Sequence, residues 1–162
     1  MDGFTAKRLV KRYDYNIDAA PETVFPLLCP VREYDWIDGW ACEMIHSESG
    51  VAENNCVFKT NFPELGEAIW TVSGYDRENF IIEFVIVYPD VVVEKLDVAL
   101  KEKEDGGTVI RWTRTYTGLS QKGNQLIEHF GGEHVDGRMA WLSESLNHYC
   151  RTGEKLAGHR RR

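Results

Sequence analysis

Long apolar runs are missing from this 162-residue chain. No stretch approaches the ~18 residues that a membrane-spanning helix needs, so no integral membrane association is expected. The segment from Met1 to Arg8 has no apolar stretch ahead of a cleavage site, which argues against a secretory signal and for a cytoplasmic location. Cysteine is sparse. Cys29, Cys42, Cys56 and Cys150 stand far apart and form no C-x-x-C pair, which excludes a redox dithiol or zinc knuckle and leaves reduced, partly buried thiols. Positive charge is also short, with 19 Lys and Arg against 26 Asp and Glu and a net charge of −7. Nucleic-acid affinity rests on cations that neutralise phosphates, so no nucleic-acid partner is expected. The local exception is the tail 151–162, where Arg151, Lys155, Arg160, Arg161 and Arg162 oppose Glu154; such a tail reads as solvated and flexible beyond a core of 7–152. His129 and His134 are five apart, off the i, i+4 spacing that puts two imidazoles on one helical face, and no Cys joins them. Neither a metal nor a cofactor is expected. Repeats, low-complexity tracts and interdomain linkers are absent from the sequence, which predicts one domain over 1–162.

What is present fits a globular domain: 43% hydrophobic and 28% charged residues, in a length that buries roughly 70% of the unfolded surface without disulfides. Lys7 to Ile17 alternates polar and apolar residues with Tyr13, Tyr15 and Ile17 on one side, the period of a half-buried strand. Pro21 suits a first helical turn, Glu22 suits its positive end, and Val24, Leu27 and Leu28 form a stripe. Pro26 is tolerated early in that helix, and Pro30 restarts a second short helix through Val31, Tyr34 and Trp36. Turn chemistry at Ser49-Gly50, Asn54-Asn55, Pro63 to Gly66, Asp76 to Asn79, Pro89-Asp90 and Asp105 to Gly107 then divides six strands, about 40–48, 56–62, 67–76, 79–88, 91–104 and 107–118. Ser120 caps a terminal helix running to about Lys155. Leu126, Ile127, Phe130 and His134 share one face of it, and Val135, Met139, Leu142, Leu146 and Tyr149 another. A bend or break is therefore predicted at Gly131-Gly132, where the phase changes.

One terminal helix cannot cover both faces of seven strands, so the sheet is expected to curl around it and leave a hollow. The fold class is α+β, a seven-stranded curved antiparallel sheet gripping a long C-terminal helix, with two short helices after the first strand. Strand alternation assigns the inward face. The last strand turns Ile110, Trp112, Arg114 and Tyr116 inward, and the one before it Val92, Glu94, Leu96, Val98 and Leu100. Phe80, Ile82, Phe84, Ile86 and Tyr88 continue that face, followed by Ala68, Trp70 and Val72, then Phe58, Thr60 and Phe62, and finally Trp40, Met44 and His46. Aromatics of this kind usually form core packing. Ligand pockets, however, are apolar with a few placed polar groups, and Glu94, Arg114 and His46 interrupt this face. The candidate ligand-binding set is Trp40, Met44, Phe58, Trp70, Phe84, Tyr88, Glu94, Leu96, Trp112, Arg114, Tyr116, Phe130, Met139 and Leu142. A tight turn at Gly106 would make paired positions of the last hairpin sum to about 212, setting Arg114 opposite Val98 and Glu94 about 13 Å along the strand. On that register the two do not pair directly, and Arg114 is left to anchor a ligand oxygen with Tyr116 beside it. A structural ion pair with a carboxylate from another strand is the alternative.

Asp18-Ala19-Ala20-Pro21-Glu22-Thr23-Val24-Phe25, Trp36-Ile37-Asp38-Gly39-Trp40, Gly74-Tyr75-Asp76 and Gly107-Thr108-Val109-Ile110-Arg111-Trp112, in this order and ahead of the terminal helix, resemble the SRPBCC superfamily. That group includes START domains, Bet v 1 allergens and polyketide cyclase/dehydrase-like proteins. The resemblance spans residues 7–152 and implies a helix-grip fold holding a lipid, sterol, polyketide or other hydrophobic molecule. It carries over no catalytic motif. Binding or transport of a small hydrophobic molecule is the leading functional expectation. The alternatives are a cyclase- or dehydratase-type enzyme, with Arg114 on an enolate oxygen and Glu94, His46 or Tyr116 as acid or base, and a chaperone-interaction module marked by an exposed apolar patch.

Overall fold

A computed structural model of the chain describes residues 3–63 and 65–157. Strand β1 (Arg8–Ile17) leads into a one-turn helix α1 (Pro21–Val24), a 3₁₀ turn (Phe25–Leu28) and a second one-turn helix α2 (Glu33–Trp36). Strands β2 (Glu43–His46), β3 (Val57–Phe62), β4 (Gly66–Asp76), β5 (Ile81–Tyr88), β6 (Val92–Glu102) and β7 (Thr108–Gly118) follow. Helices α3 (Gln121–Phe130) and α4 (Glu133–Thr152) come last.

The strands form one curved antiparallel sheet in the order β1-β7-β6-β5-β4-β3-β2. From β2 to β7 each strand pairs with the next in sequence, and β1 lies along β7 from Arg8 opposite Thr117 to Ile17 opposite Thr108. Alternation of burial along β5, β6 and β7 follows the expected face, with Ile82, Phe84, Ile86, Tyr88, Glu94, Leu96, Val98, Ile110, Trp112 and Tyr116 buried. Phe80 precedes its strand because the turn from Arg77 holds it at a φ of 58°.

Pro21 occupies the first position of α1, and the Ala20 carbonyl accepts from the Thr23 and Val24 amides. Pro26 cannot donate to a continuing α-helix, and the chain tightens there into the 3₁₀ turn. Trp36 is fully buried and donates its indole N–H to the Leu27 carbonyl at 2.7 Å, so it packs the short helices together. Ser120 caps α3 by accepting from the Gly123 amide at 3.1 Å. A Cβ on Gly123 would lie 1.8 Å from the Val91 carbonyl oxygen, so glycine allows the start of α3 to press against the β5–β6 turn. The break at Gly131-Gly132 is present. Helix α4 ends at Thr152, before the expected Lys155, because Gly153 turns left-handed with a φ of 75°. Of the basic tail, residues 158–162 lie outside the described residues.

Helix α4 is fastened to β1 by side chains. The Tyr13 hydroxyl donates to Asp136 at 2.7 Å, Lys11 pairs with Asp136 at 3.0 Å, and Asn147 accepts from the Asp18 amide at 2.8 Å.

Two expectations need correction. The β6–β7 turn is a three-residue loop, Glu104-Asp105-Gly106, with Gly106 at a φ of 89° and the Lys103 amide donating to the Gly107 carbonyl at 2.8 Å. That loop shifts the register, so Glu94 faces Tyr116 and Leu96 faces Arg114, one diagonal step apart. His46 does not join the inward face either. An irregularity between Met44 and His46 turns it to the exterior, where it is exposed.

Candidate functional site

Two groups of side chains occupy the inward face. At the β3–β5 end Phe58 stacks on Trp70 with centroids 5.1 Å apart, and Phe84 meets Trp70 edge-on at 5.6 Å. Trp40, half-buried after α2, closes on Trp70 at 6.2 Å and anchors its indole N–H to the Pro30 carbonyl at 2.9 Å. Trp70 donates to the Thr60 hydroxyl at 2.9 Å, leaving no indole donor for a ligand. These rings fill their end of the interior: a ligand-sized chamber would leave accessible area around it, and Phe58, Trp70 and Phe84 keep 8% or less. Two open hollows, of about 290 Å³ and 270 Å³, lie outside the grip. The first is bounded by Gly137, Ala140, Trp141 and Glu144 of α4 with Leu156 and Ala157, the second by Asp18, Ala19 and the 105–107 turn.

The second group is polar and lies on β5, β6, β7, α2 and α4. The diagonal register brings Arg114 Nη1 onto Glu94 Oε2 in an ion pair. Arg114 also donates Nε to the Met139 sulfur of α4 at 3.3 Å, so its guanidinium spans from sheet to helix. Burial opposes its charge, yet Glu94 and then Tyr116 outweigh that effect and hold it more firmly protonated than a free arginine. The role expected for Arg114, an unpaired anchor for a ligand oxygen, is thereby revised: Glu94 takes part of its capacity. Tyr116 stacks on Phe130 of α3 at 4.5 Å. Burial, reinforced by Glu94, raises both the Tyr88 and Tyr116 hydroxyls, which stay protonated. Tyr88 is 4% exposed and its hydroxyl makes no hydrogen bond among the described residues. Leu96 and Trp112 flank the pair on β6 and β7; Leu142 of α4 is half-buried, as is Met44 of β2, which lies opposite Phe58.

Glu33 joins this group and was absent from the sequence-derived set. Burial pushes its carboxyl up to about 8, against the pull of Arg114's positive charge. It makes no hydrogen bond or ion pair among the described residues, although it retains partial accessibility. Arg114 from β7 lies within its electrostatic reach, as does Cys42 from the segment after α2, whose thiol is pushed up by burial and by Glu33. The signal available in the sequence was spacing. Glu33 and Trp36 are i, i+3 on one helical face, so a buried Trp36 carries Glu33 inward with it.

Arg114 retains 16% of its side-chain surface, and Trp40, Cys42, Met44, Leu142 and Tyr149 are all half-buried. All four cysteines are free. Among the described residues no group of three or more His, Cys, Asp or Glu side chains is arranged to hold a metal, and no helix is long and apolar enough to cross a membrane. His129 and His134 lie with ring centroids 5.0 Å apart at the α3–α4 break.

No family model and no curated protein matches the chain. Solved structures do. Norcoclaurine synthase from Thalictrum flavum superposes with a TM-score of 0.65 at 13% identity, covering 91% of this chain and 88% of that one. Ara h 8.0201 gives 0.63 at 13% identity, covering 88% and 97%. DynU16, a putative protein of the dynemicin biosynthetic locus, gives 0.58 at 14% identity, covering 90% of this chain and 48% of its own. At these identities the likeness is one of architecture: the chain has the Bet v 1-like helix-grip fold.

Proposed function

We propose that the chain binds a small hydrophobic molecule between its curved sheet and α4, with the ligand's polar end at Glu33, Tyr88 and Arg114. The observation that carries this reading is the Glu33 carboxyl, on a residue that keeps partial exposure, without a hydrogen-bond partner among the described residues and within electrostatic reach of Arg114. An unpaired buried polar group costs stability, and a bound ligand offsets that cost. Trp40, Met44, Leu96, Tyr116, Met139 and Leu142 would contact the ligand, while Phe58, Trp70, Phe84, Trp112 and Phe130 back them as core. The fold supports the reading by analogy: norcoclaurine synthase of Thalictrum flavum was solved in complex with dopamine and hydroxybenzaldehyde. Lipids, sterols and polyketide-like molecules are the candidate classes. The test is to strip the purified protein with organic solvent and titrate it with representatives of each class, following tryptophan fluorescence. Saturable binding of one molecule per chain supports the proposal, and its absence with every class overturns it.

A second reading, acid–base catalysis on a cyclic substrate, is favoured by the same carboxyl, because a group titrating at about 8 exchanges protons near neutral pH. The residues that would carry it differ from the sequence expectation, since Glu94 is paired with Arg114 and His46 is outside. Turnover of a bound ligand, lost in Glu33→Gln, is its test.

A further inference from the structure

The two edges of the sheet differ in kind. One is β2, four residues long and irregular between Met44 and His46, the sort of short, broken edge that discourages further pairing. The other is β1, ten residues long, without proline and without a break in its register against β7. A long unbroken edge is a template for another strand.

The ladder between β1 and β7 decides which backbone groups lie on that edge. The Gly118 amide donates to the Lys7 carbonyl, and bonded pairs alternate along an antiparallel ladder, so the odd-numbered residues of β1 are the ones that bond β7. The amides and carbonyls of Arg8, Val10, Arg12, Asp14 and Asn16 therefore point away from β7, and among the described residues nothing bonds them. Only beyond the strand, at Asp18, does Asn147 accept an amide on that side. The side chains of the same residues are exposed, Val10 at 51%.

We propose that β1 is a dimerisation strand, which pairs antiparallel with β1 of a second copy of this chain. A two-fold axis makes like strands antiparallel, and the bonded pairs must join even-numbered residues, since only these have free backbone groups. In the register centred on Tyr13, Arg12 of each copy lies opposite Asp14 of the other, Val10 opposite Asn16, and Arg8 opposite Asp18. Every opposed charge on this face is then of opposite sign. Sliding the strands by two residues sets Arg12 against Arg12, or Asp14 against Asp14, and like charges directly opposite are destabilising. Charge thus selects one register. Asp14 is already held for it, because Arg111 of the same copy donates Nε to Oδ1 at 2.7 Å and Nη2 to Oδ2 at 2.9 Å. A carboxylate accepts about four hydrogen bonds in all, so a second guanidinium has acceptors left. Pairing uses the long edge of both copies, and assembly stops at two.

The test is sedimentation equilibrium of the whole chain over a concentration series to about 0.5 mM, since a single strand pair belongs to the small, weak class of interface. The wild type is expected to pass from monomer to dimer within that series. Val10→Pro removes an amide that points to the free edge and none that bonds β7, a position where proline is tolerated, and should weaken the dimer at least about tenfold. Arg12→Asp and Asp14→Arg should each weaken self-association to a similar degree by placing like charges opposite one another, whereas an equimolar mixture of these two chains pairs opposite charges throughout. That mixture should associate at least about tenfold more tightly than either variant alone. A wild type that stays monomeric throughout the series, a dimer that Val10→Pro leaves unchanged, or a mixture no tighter than its components overturns the assignment. Circular dichroism checks each variant's fold. If Asp14→Arg, which also faces Arg111, fails to fold, the wild type and Val10→Pro decide the question between them.

Discussion

Arg114 and Glu94 form an ion pair between adjacent strands β7 and β6, on the face that looks toward α4. Glu94 is almost wholly enclosed and Arg114 reaches on to Met139, so the pair joins sheet to helix at the centre of the grip. Removing one partner of a buried pair leaves the other uncompensated, at a cost of about 3–5 kcal/mol. Glu94→Leu and Arg114→Met are each expected to lose stability in this range by urea unfolding. The double variant Glu94→Leu/Arg114→Met should lose much less than the two singles together. Singles that cost under about 1 kcal/mol, or that add up in the double, would show that the pair does not hold the interior together.

Glu33 makes stability depend on pH in the sense opposite to a salt-bridged carboxylate. Its folded-state value is raised to about 8, while the unfolded chain returns it to its ordinary range. Between these values the folded protein holds the proton and the unfolded chain does not, so stability falls as pH rises through that window and levels off above it. At about 1.4 kcal/mol per unit the loss reaches a few kcal/mol. Urea unfolding of wild type and Glu33→Gln across this range should show the wild type losing ground to the variant as pH rises. Parallel curves would mean that Glu33 is solvated in the folded state.

Two glycines in the terminal helices should respond to alanine with opposite signs. A Cβ at Gly123 collides with the Val91 carbonyl at 1.8 Å, and backbone cannot give way cheaply, so Gly123→Ala is expected to destabilise by about 1–3 kcal/mol despite alanine's helix propensity. Gly137 of α4 is exposed with nothing within 4 Å of a Cβ, and Gly137→Ala should stabilise by up to about 1 kcal/mol. Thermal melts of the two variants check both. A tolerated Gly123→Ala would mean that α3 does not press against the β5–β6 turn.

Period and phase made most of this fold readable in advance. Strict alternation along β5 to β7 identified the inward residues, and the change of stripe at Gly131-Gly132 located the break between α3 and α4. What failed depended on a single residue more or fewer. One residue in the placement of the 104–106 loop moved Arg114 from Val98 to Leu96, which turned an isolated arginine into half of an ion pair. An irregularity after Met44 sent His46 outward, where alternation alone would have kept it inside. Glu33 escaped notice because α2 is one turn long and too short to show a stripe; only the burial of Trp36 three residues on reveals which way it faces. The aromatic set was located correctly on the inward face, but which of its rings contact one another, and so leave no space, follows from side-chain packing that sequence periodicity does not encode.

The indole N–H signals of the five tryptophans separate interior binding from binding at the outer hollow in one titration. Trp40 and Trp112 belong to the inward side, whereas Trp141 borders the surface hollow on α4. Addition of 1-methylnaphthalene to the ¹⁵N-labelled protein should shift the Trp40 and Trp112 resonances along saturable curves with a common dissociation constant and leave Trp141 in place. Saturable shifts confined to Trp141, or no saturation at any tryptophan, would contradict an interior that takes up a small apolar molecule.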